Sequence, residues 1–269
     1  MQVLLVADLH YALKQYDWLI EVAGDHDTVV IAGDLLEISC IVPKEAQIVV
    51  VQDYLRRLAS VTRLLVCSGN HDLDREGPGG ERIAGWLSDP RLGAVTGDGA
   101  AVTIDGTLIS SVPWWEGPAT QARIAEQLAR DAARRAGRWI WLYHAPPCDS
   151  PVSWGGSRSY GDTLLNGLIE THAPDLVLSG HVHQAPFIVG GSWVDRIGAT
   201  WVFNMGQQPG PAPAHVVIDT EAGEAAWFSL EGRERVSLGP GAVHREPIGD
   251  LPDWIRAADP DADAVPQES

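Results

Sequence analysis

The chain has 269 residues, of which 45% are apolar and 20% charged, and its formal net charge is −17. This composition is typical of a folded α/β protein, and so strong an acidic excess argues against a nucleic-acid polymer as a partner, because the phosphate backbone needs a basic surface. No apolar run approaches the ~20 residues that a membrane span needs, so we expect a cytoplasmic protein with no membrane partner.

The first part of the chain alternates short apolar strands with helices. Strands are predicted over residues 2–7, 28–32 and 63–67, and helices over residues 14–23 and 44–59. Each strand is a continuous apolar run, which is typical of a sheet that is covered on both faces. The β-α-β-α-β order therefore predicts an α/β fold.

The second part begins with a hairpin, because residues 100–104 and 107–112 flank the turn dipeptide Asp105-Gly106. After it we predict helix 119–136, strand 139–143, helix 161–171 and strand 175–178. Successive antiparallel strands are then expected at residues 193–194, 200–204, 214–219 and 224–230. The chain is predicted to form one domain over residues 1–245, followed by an acidic C-terminal tail over residues 246–269.

Polar residues follow the ends of five predicted strands. The segments are Asp8-Leu9-His10, Gly33-Asp34, Gly69-Asn70-His71-Asp72, Tyr143-His144 and Gly180-His181-Val182-His183. Ligands of open α/β sheets gather at the carboxyl ends of the strands, so these side chains are expected to lie together. One such segment alone is often an ordinary polar turn, but five of them in order predict a functional site.

The residue types in these segments favour metal binding. Neutral imidazole and carboxylate oxygen suit first-row divalent metals, and the absence of cysteine from the set argues against a structural zinc site. The candidate ligands are Asp8, His10, Asp34, Asn70, His144, His181 and His183. They are more than one ion needs, whereas one carboxylate that bridges two ions accounts for all of them. We expect two divalent transition-metal ions, with manganese, iron or zinc favoured over cobalt or nickel.

The series D-x-H, G-D, G-N-H-D, H and G-H-x-H resembles the blocks of the calcineurin-like metallophosphoesterase superfamily, and Asn204-Met205-Gly206 resembles its closing N-x-G. The resemblance implies a four-layer αββα sandwich with two central mixed sheets, and a catalytic domain over residues 1–245. It implies that a metal-bridging hydroxide attacks a phosphate ester in line. By the same resemblance, Asp8, His10 and His183 would hold the first metal, Asn70, His144 and His181 the second, Asp34 would bridge them, and His71 would be the general acid.

A histidine that protonates a leaving group needs an acidic partner to orient it. In related phosphatases, an aspartate three positions after the bridging aspartate has this role, and the matching position here is Glu37. The longer glutamate departs from the family pattern, and Asp72 is the alternative partner for His71. The predicted catalytic residues are thus His71, Asp34 and Glu37.

The substrate is expected to be a small phosphate ester. The stretch Tyr143-His144-Ala145-Pro146-Pro147 resembles that of class III cyclic nucleotide phosphodiesterases and glycerophosphodiesterase-like enzymes, which favours a diester. The loop residues predicted to contact substrate are Trp114, Trp115, Trp154 and Arg158, because aromatic faces stack on apolar groups and arginine pairs with phosphate. Two alternatives remain at this stage, a phosphomonoesterase acting on a nucleotide or phosphoprotein, and a non-catalytic scaffold on the same fold. The sequence does not indicate an oligomeric state.

Overall fold

A computed structural model describes residues 1–249. Its helices are α1 Leu13–Val22, α2 Lys44–Val61, α3 Pro118–Ala132 and α4 Thr163–His172. Its strands are β1 Gln2–Val6, β2 Thr28–Ala32, β3 Arg63–Cys67, β4 Arg75–Glu76, β5 Arg82–Ile83, β6 Ala101–Ile104, β7 Thr107–Ser111, β8 Trp139–Leu142, β9 Leu176–Ser179, β10 Val194–Ile197, β11 Thr200–Asn204, β12 His215–Asp219, β13 Glu224–Phe228, β14 Arg233–Ser237 and β15 Glu246–Pro247.

Two mixed sheets pack face to face. The first has the order β15-β14-β13-β12-β1-β2-β3, and the second has the order β10-β11-β9-β8-β7-β6. Strands β1, β2 and β3 run parallel in the first sheet, as do β7, β8, β9 and β11 in the second. Helices α1 and α2 cover the outer face of the first sheet, and α3 and α4 cover that of the second. The structure therefore has the predicted αββα layers.

Strand β1 shows why its residues are apolar without alternation. Leu4 and Val6 pack against the α1 and α2 side, while Val3 and Leu5 pack between the two sheets. Successive side chains of a strand point to opposite faces, so a central strand of this sandwich has no face left for water. The continuous apolar runs thus follow directly from burial on both faces.

Most predicted elements lie within a few residues of the observed ones. One prediction was wrong: Thr200–Asn204 is antiparallel to β10 but runs parallel to β9, so it belongs to the second sheet and not to a purely antiparallel series. An apolar pattern identifies a strand but not its neighbours, and here the next strand, β12, pairs with β1 in the other sheet. Helix α3 ends at Ala132, before the predicted residue 136. The residues that follow form a turn in which donor and acceptor are three residues apart instead of four, as in the hydrogen bond from Arg135 N–H to the Ala132 carbonyl at 3.2 Å.

The sequence did not predict β4, β5, β14 or β15. The first two form a small hairpin after Asp72, and β14 extends the first sheet beyond β13. Of the segment predicted as an acidic tail, Glu246–Pro247 pairs with β14, and residues 250–269 lie outside the described part of the chain. Within residues 1–249 no helix is long and apolar enough to cross a membrane.

His215 is a core histidine at the start of β12. Its ring stacks on Phe228 at 5.0 Å and lies 4.8 Å from Trp18, and its Nδ1 is 2.9 Å from the Pro213 carbonyl oxygen. Burial lowers the pKa of His215 to about 4. The neutral ring is therefore the form that fits the fold.

This burial makes stability fall in mild acid. The folded pKa of His215 lies below the ordinary unfolded value, so its contribution is complete above that unfolded pKa and is lost as the pH falls towards the folded one. Between about pH 7 and about pH 5 we expect roughly 2 kcal/mol of unfolding free energy to be lost through this group. Urea denaturation of His215→Gln should show a shallower pH dependence than the wild type. In the control His244→Gln, which removes an exposed ring, the wild-type slope should persist.

Candidate metal centre

The loops that follow β1, β2, β3, β8 and β9 meet at one edge of the sandwich. Backbone hydrogen bonds connect them, including Asp8 N–H to the Gly33 carbonyl at 3.1 Å and Gly180 N–H to the His144 carbonyl at 2.9 Å. The two sheets are joined here as well, since His144 Nδ1 lies 2.7 Å from the Ala32 carbonyl oxygen. The structure thus places the carboxyl ends of both sets of parallel strands side by side.

The backbone at this edge is strained. Asp8, His10, Asp34 and His181 have φ angles of 54°, 43°, 52° and 71°, in the left-handed region that non-glycine residues rarely adopt. Such conformations cost roughly 1–3 kcal/mol each and persist only where the surrounding structure enforces them. At each of these residues the chain therefore departs from the extended conformation of the preceding strand.

Two glycines allow the loops to approach closely. A Cβ atom on Gly33 would collide with His144 Nδ1, and one on Gly69 would collide with Asp34 Oδ1. Both approaches are far closer than any tolerated contact. The glycines in the G-D and G-N-H-D segments are therefore required by packing of the site itself.

The predicted ligands converge in two groups. Donor atoms of Asp8, His10, Asp34 and His183 lie within 4.8 Å of one another, and so do those of Asp34, His144 and His181. Asp34 is the member that the two groups share. Asn70 completes the predicted set, and its Oδ1 is buried with no hydrogen-bond partner among the described residues.

The arrangement of these atoms fits cations better than it fits hydrogen bonding within the protein. His10 Nε2 and His183 Nε2 face each other at 3.1 Å, and His144 Nε2 is buried 3.2 Å from Asp34 Oδ2 without a hydrogen bond in residues 1–249. Buried polar atoms without partners are costly, and an ion is one of the few explanations for a cluster of them. The donor set, imidazole nitrogen with carboxylate and amide oxygen, suits the predicted divalent transition metals.

Electrostatics differ between the two histidines of the second group, His144 and His181. Burial and the nearby His144 lower the pKa of His181 to about 4, so this ring is neutral at pH 7 and can offer a lone pair. Burial would also lower the pKa of His144, but the carboxylates of Asp34 and Asp8 outweigh it and raise that pKa to about 9. A cation bound there would release this proton, so metal affinity is coupled to pH.

Glu37 faces two histidines at once. Its Oε2 is 3.2 Å from His10 Nδ1, and its Oε1 is 3.7 Å from His71 Nδ1. His71 Nε2 in turn lies 3.9 Å from Asp34 Oδ2 at the shared position. The glutamate side chain is thus long enough to come near the His71 ring, and it also contacts His10, a predicted metal ligand.

Asp72, the alternative partner for His71, points elsewhere. Its buried carboxylate accepts backbone N–H groups of Leu35, Leu36 and Gly69 at 2.9, 3.0 and 2.8 Å. Burial and the nearby Asp34 raise the pKa of Asp72 to about 8. Its contacts join the loop after β2 to the loop after β3, and Glu37 remains the acidic residue beside the His71 ring.

Trp114 is a predicted substrate contact that borders two of the predicted metal ligands. The Trp114 ring lies 5.4 Å from the His181 ring and 5.7 Å from the His144 ring. Trp115 donates through Nε1 to Asp162 at 2.7 Å, and Trp154 donates to the Val189 carbonyl at 3.1 Å. Arg158 lies over the Tyr160 ring at 4.5 Å. These three therefore have structural partners, and their contact with substrate stays a prediction.

Lys44 is a residue of the site that the sequence analysis missed. Its Nζ donates to the carbonyl oxygens of His71 and Leu73 at 2.9 and 2.8 Å from the first turn of α2. This contact fixes the backbone on which His71 is mounted. The only available signal was that Lys44 is one of two lysines in the chain, standing seven residues after Glu37.

The comparisons with solved structures agree with this fold. The protein TT1561 of Thermus thermophilus aligns over 88% of this chain and 99% of its own length, with 18% identity and a TM-score of 0.55. Purple acid phosphatase PPD1 from yellow lupin seeds aligns over 91% of this chain but 52% of its own, with 15% identity and a TM-score of 0.51. At these identities the likeness concerns the fold alone. A search of curated proteins finds no match.

The family comparison covers most of the chain and includes all the predicted ligands. Residues 1–223 match the sequence profile described as the calcineurin-like phosphoesterase superfamily domain. The chain therefore belongs to the calcineurin-like phosphoesterase superfamily.

Proposed function

We propose that the protein is a phosphoesterase that holds two divalent transition-metal ions and hydrolyses a small phosphodiester. The observation that carries this proposal is the position of Asp34, which belongs to both converging groups of donor atoms. A carboxylate shared in this way is what a dinuclear site needs. In such a site the bound ions lower the pKa of a water molecule and neutralise charge on the phosphoryl oxygens.

The local charge is compatible with an anionic substrate despite the acidic chain. The carboxylates that face the centre are Asp8, Asp34 and Glu37. Two divalent cations would outweigh these three negative charges, and the nearest charges dominate because more distant ones are screened over about 8 Å at physiological salt. A phosphate ester can therefore approach this edge of the protein.

His71 is the residue that we propose as the general acid for the leaving group. Its backbone N–H donates to Asp34 Oδ1 at 2.9 Å, and Lys44 holds its carbonyl, so the loop has little freedom. Its side chain is partly exposed, unlike those of His144 and Asp34. In this proposal His71 donates a proton to the departing alkoxide while Glu37 orients its ring.

Preference for a diester rests on two features. One is the resemblance of the His144-Ala145-Pro146-Pro147 stretch to cyclic nucleotide phosphodiesterases. The other is the Trp114 ring beside His144 and His181, which offers an aromatic surface to the second ester group. A monoester has no such group to place there.

The experiment that tests the proposal pairs metal analysis with hydrolysis assays. We expect about two metal ions per chain after purification without chelator, and manganese-stimulated hydrolysis of bis-(4-nitrophenyl) phosphate in excess over 4-nitrophenyl phosphate. Turnover of the monoester alone would shift the assignment to a phosphomonoesterase. Absence of both metal and turnover after manganese is added would leave the scaffold hypothesis.

Removal of His71 tests the general acid. We expect His71→Ala to reduce kcat about 10²–10⁴-fold while the metal content stays at the wild-type level. The loss should be smaller for a substrate whose leaving group is acidic and needs no proton. His244→Ala, which removes an exposed imidazole, is the control; wild-type turnover in His71→Ala would exclude the proposed role.

Glu37 is expected to act by positioning His10 and His71. Replacement by Gln should lower metal affinity or activity about 10–100-fold, as is typical when a carboxylate behind a ligating histidine is lost. Glu37→Asp should recover part of that loss because it restores the charge. Glu45→Gln makes the same charge change at an exposed site of α2 and should have no effect; equal losses in both would contradict the assignment.

A further inference from the structure

A second concave site lies at the opposite edge of the sandwich from the metal centre. Its volume is about 270 Å³, and it lies where β8, β9 and β11 begin in one sheet and where β12 and β14 end in the other. The charged residues that line it are Arg138, Asp175 and Arg196. This volume lies just below the range of about 300–1,000 Å³ that is typical of ligand pockets, so it suits an ion or a small metabolite and not a large cofactor.

Arg138 has no partner in the described part of the chain. Neither a hydrogen bond nor an ion pair is formed by its guanidinium group, although the side chain is half-buried at the wall of the cavity. A guanidinium group carries five N–H donors and keeps its charge at any physiological pH. All of these donors are available to a ligand.

Arg196 is held in place by contacts that use only part of its hydrogen-bonding capacity. Its Nη1 donates to the Gly241 carbonyl at 2.8 Å, and its guanidinium group lies 5.7 Å from the ring of Trp201, its cross-strand neighbour. Its Nε is buried and has no hydrogen-bond partner within residues 1–249. A guanidinium group carries five N–H donors, so the bond to Gly241 leaves most of the Arg196 donors without a hydrogen bond in the described part of the chain.

The acidic residue of the cavity does not neutralise these arginines. Asp175 Oδ2 accepts from Arg135 Nη2 at 2.9 Å and from Trp139 N–H at 2.7 Å. Arg135 thus compensates Asp175, and the cavity keeps the charges of Arg138 and Arg196. In a chain with a net charge of −17, a pocket with two uncompensated guanidinium groups is a local exception.

We propose that this cavity, here named the arginine cavity after Arg138 and Arg196, binds a small oxyanion, either inorganic phosphate or the phosphate group of a small metabolite. Guanidinium groups match the oxygens of phosphate in paired, charge-assisted hydrogen bonds, and an anion in the cavity would pair with the positive charges of Arg138 and Arg196 together. The site is separate from the metal centre, so it does not depend on the proposed hydrolytic function.

The test maps arginine accessibility in the metal-loaded full-length protein. Phenylglyoxal modifies free guanidinium groups, and mass spectrometry reports each modified arginine separately, so anion binding at the metal centre does not interfere. We expect inorganic phosphate to protect Arg138 and Arg196 with an apparent Kd of about 1 mM or below. Arg130, an exposed arginine of α3, should not be protected.

Methylphosphonate, which resists hydrolysis, provides a second arm. Protection by both anions supports a site that accepts organic phosphates, and protection by inorganic phosphate alone supports one for the free ion. No protection by either anion, or equal protection of Arg130, would overturn the proposal and leave a water-filled cavity.

Variants provide the matching control. Arg138→Gln should abolish the phosphate protection of Arg196 while folding and turnover stay at the wild-type level, because Arg138 has no structural partner to lose among residues 1–249. Arg130→Gln should leave the protection intact. If Arg196 stays protected in Arg138→Gln, the two arginines do not share a ligand and the proposal fails.

Discussion

The carboxylate of Asp34 is the point on which the rest of the site depends. It belongs to both converging donor groups, accepts the backbone N–H of His71, and lies against Gly69 so closely that no side chain could replace that glycine's hydrogen. Moving it by a fraction of an ångström would disturb both groups at once. The surrounding loops hold this carboxylate in one place. Doing so requires left-handed backbone conformations, which cost free energy, at four residues, Asp8, His10, Asp34 and His181.

The packed sandwich is stable enough to hold these residues in strained backbone conformations. Strands buried on both faces are among the most stable units of an α/β protein, because side chains of each pack into a core. Here one core lies between the sheets and one lies on each outer face under the helices. The buried side chain of Asp72 joins two loops through backbone hydrogen bonds and so adds rigidity. The resulting scaffold is stiff where the strained residues leave it.

Much of this was predictable from local sequence. Continuous apolar runs identified the central strands, since burial on both faces removes alternation, and the polar residues after them identified the edge where ligands gather. Local sequence could not show which way the side chains point. Glu37 and Asp72 are both acidic residues near His71, and only the fold shows that one faces the ring while the other turns to the backbone. The same holds for β11, whose neighbours are decided by sheet packing, and for Lys44, which acts from another element.

The position of the centre on the seam between the sheets has a consequence for how the molecule assembles. Asp8, His10, Asp34 and Asn70 come from loops of the first sheet, whereas His144, His181 and His183 come from the second. Neither half of the chain contains a complete site, so the site can form only after the two sheets have docked. Ions held there would act as a cross-link between the halves, and their binding free energy would add to the cooperativity of folding as a whole instead of stabilising one loop.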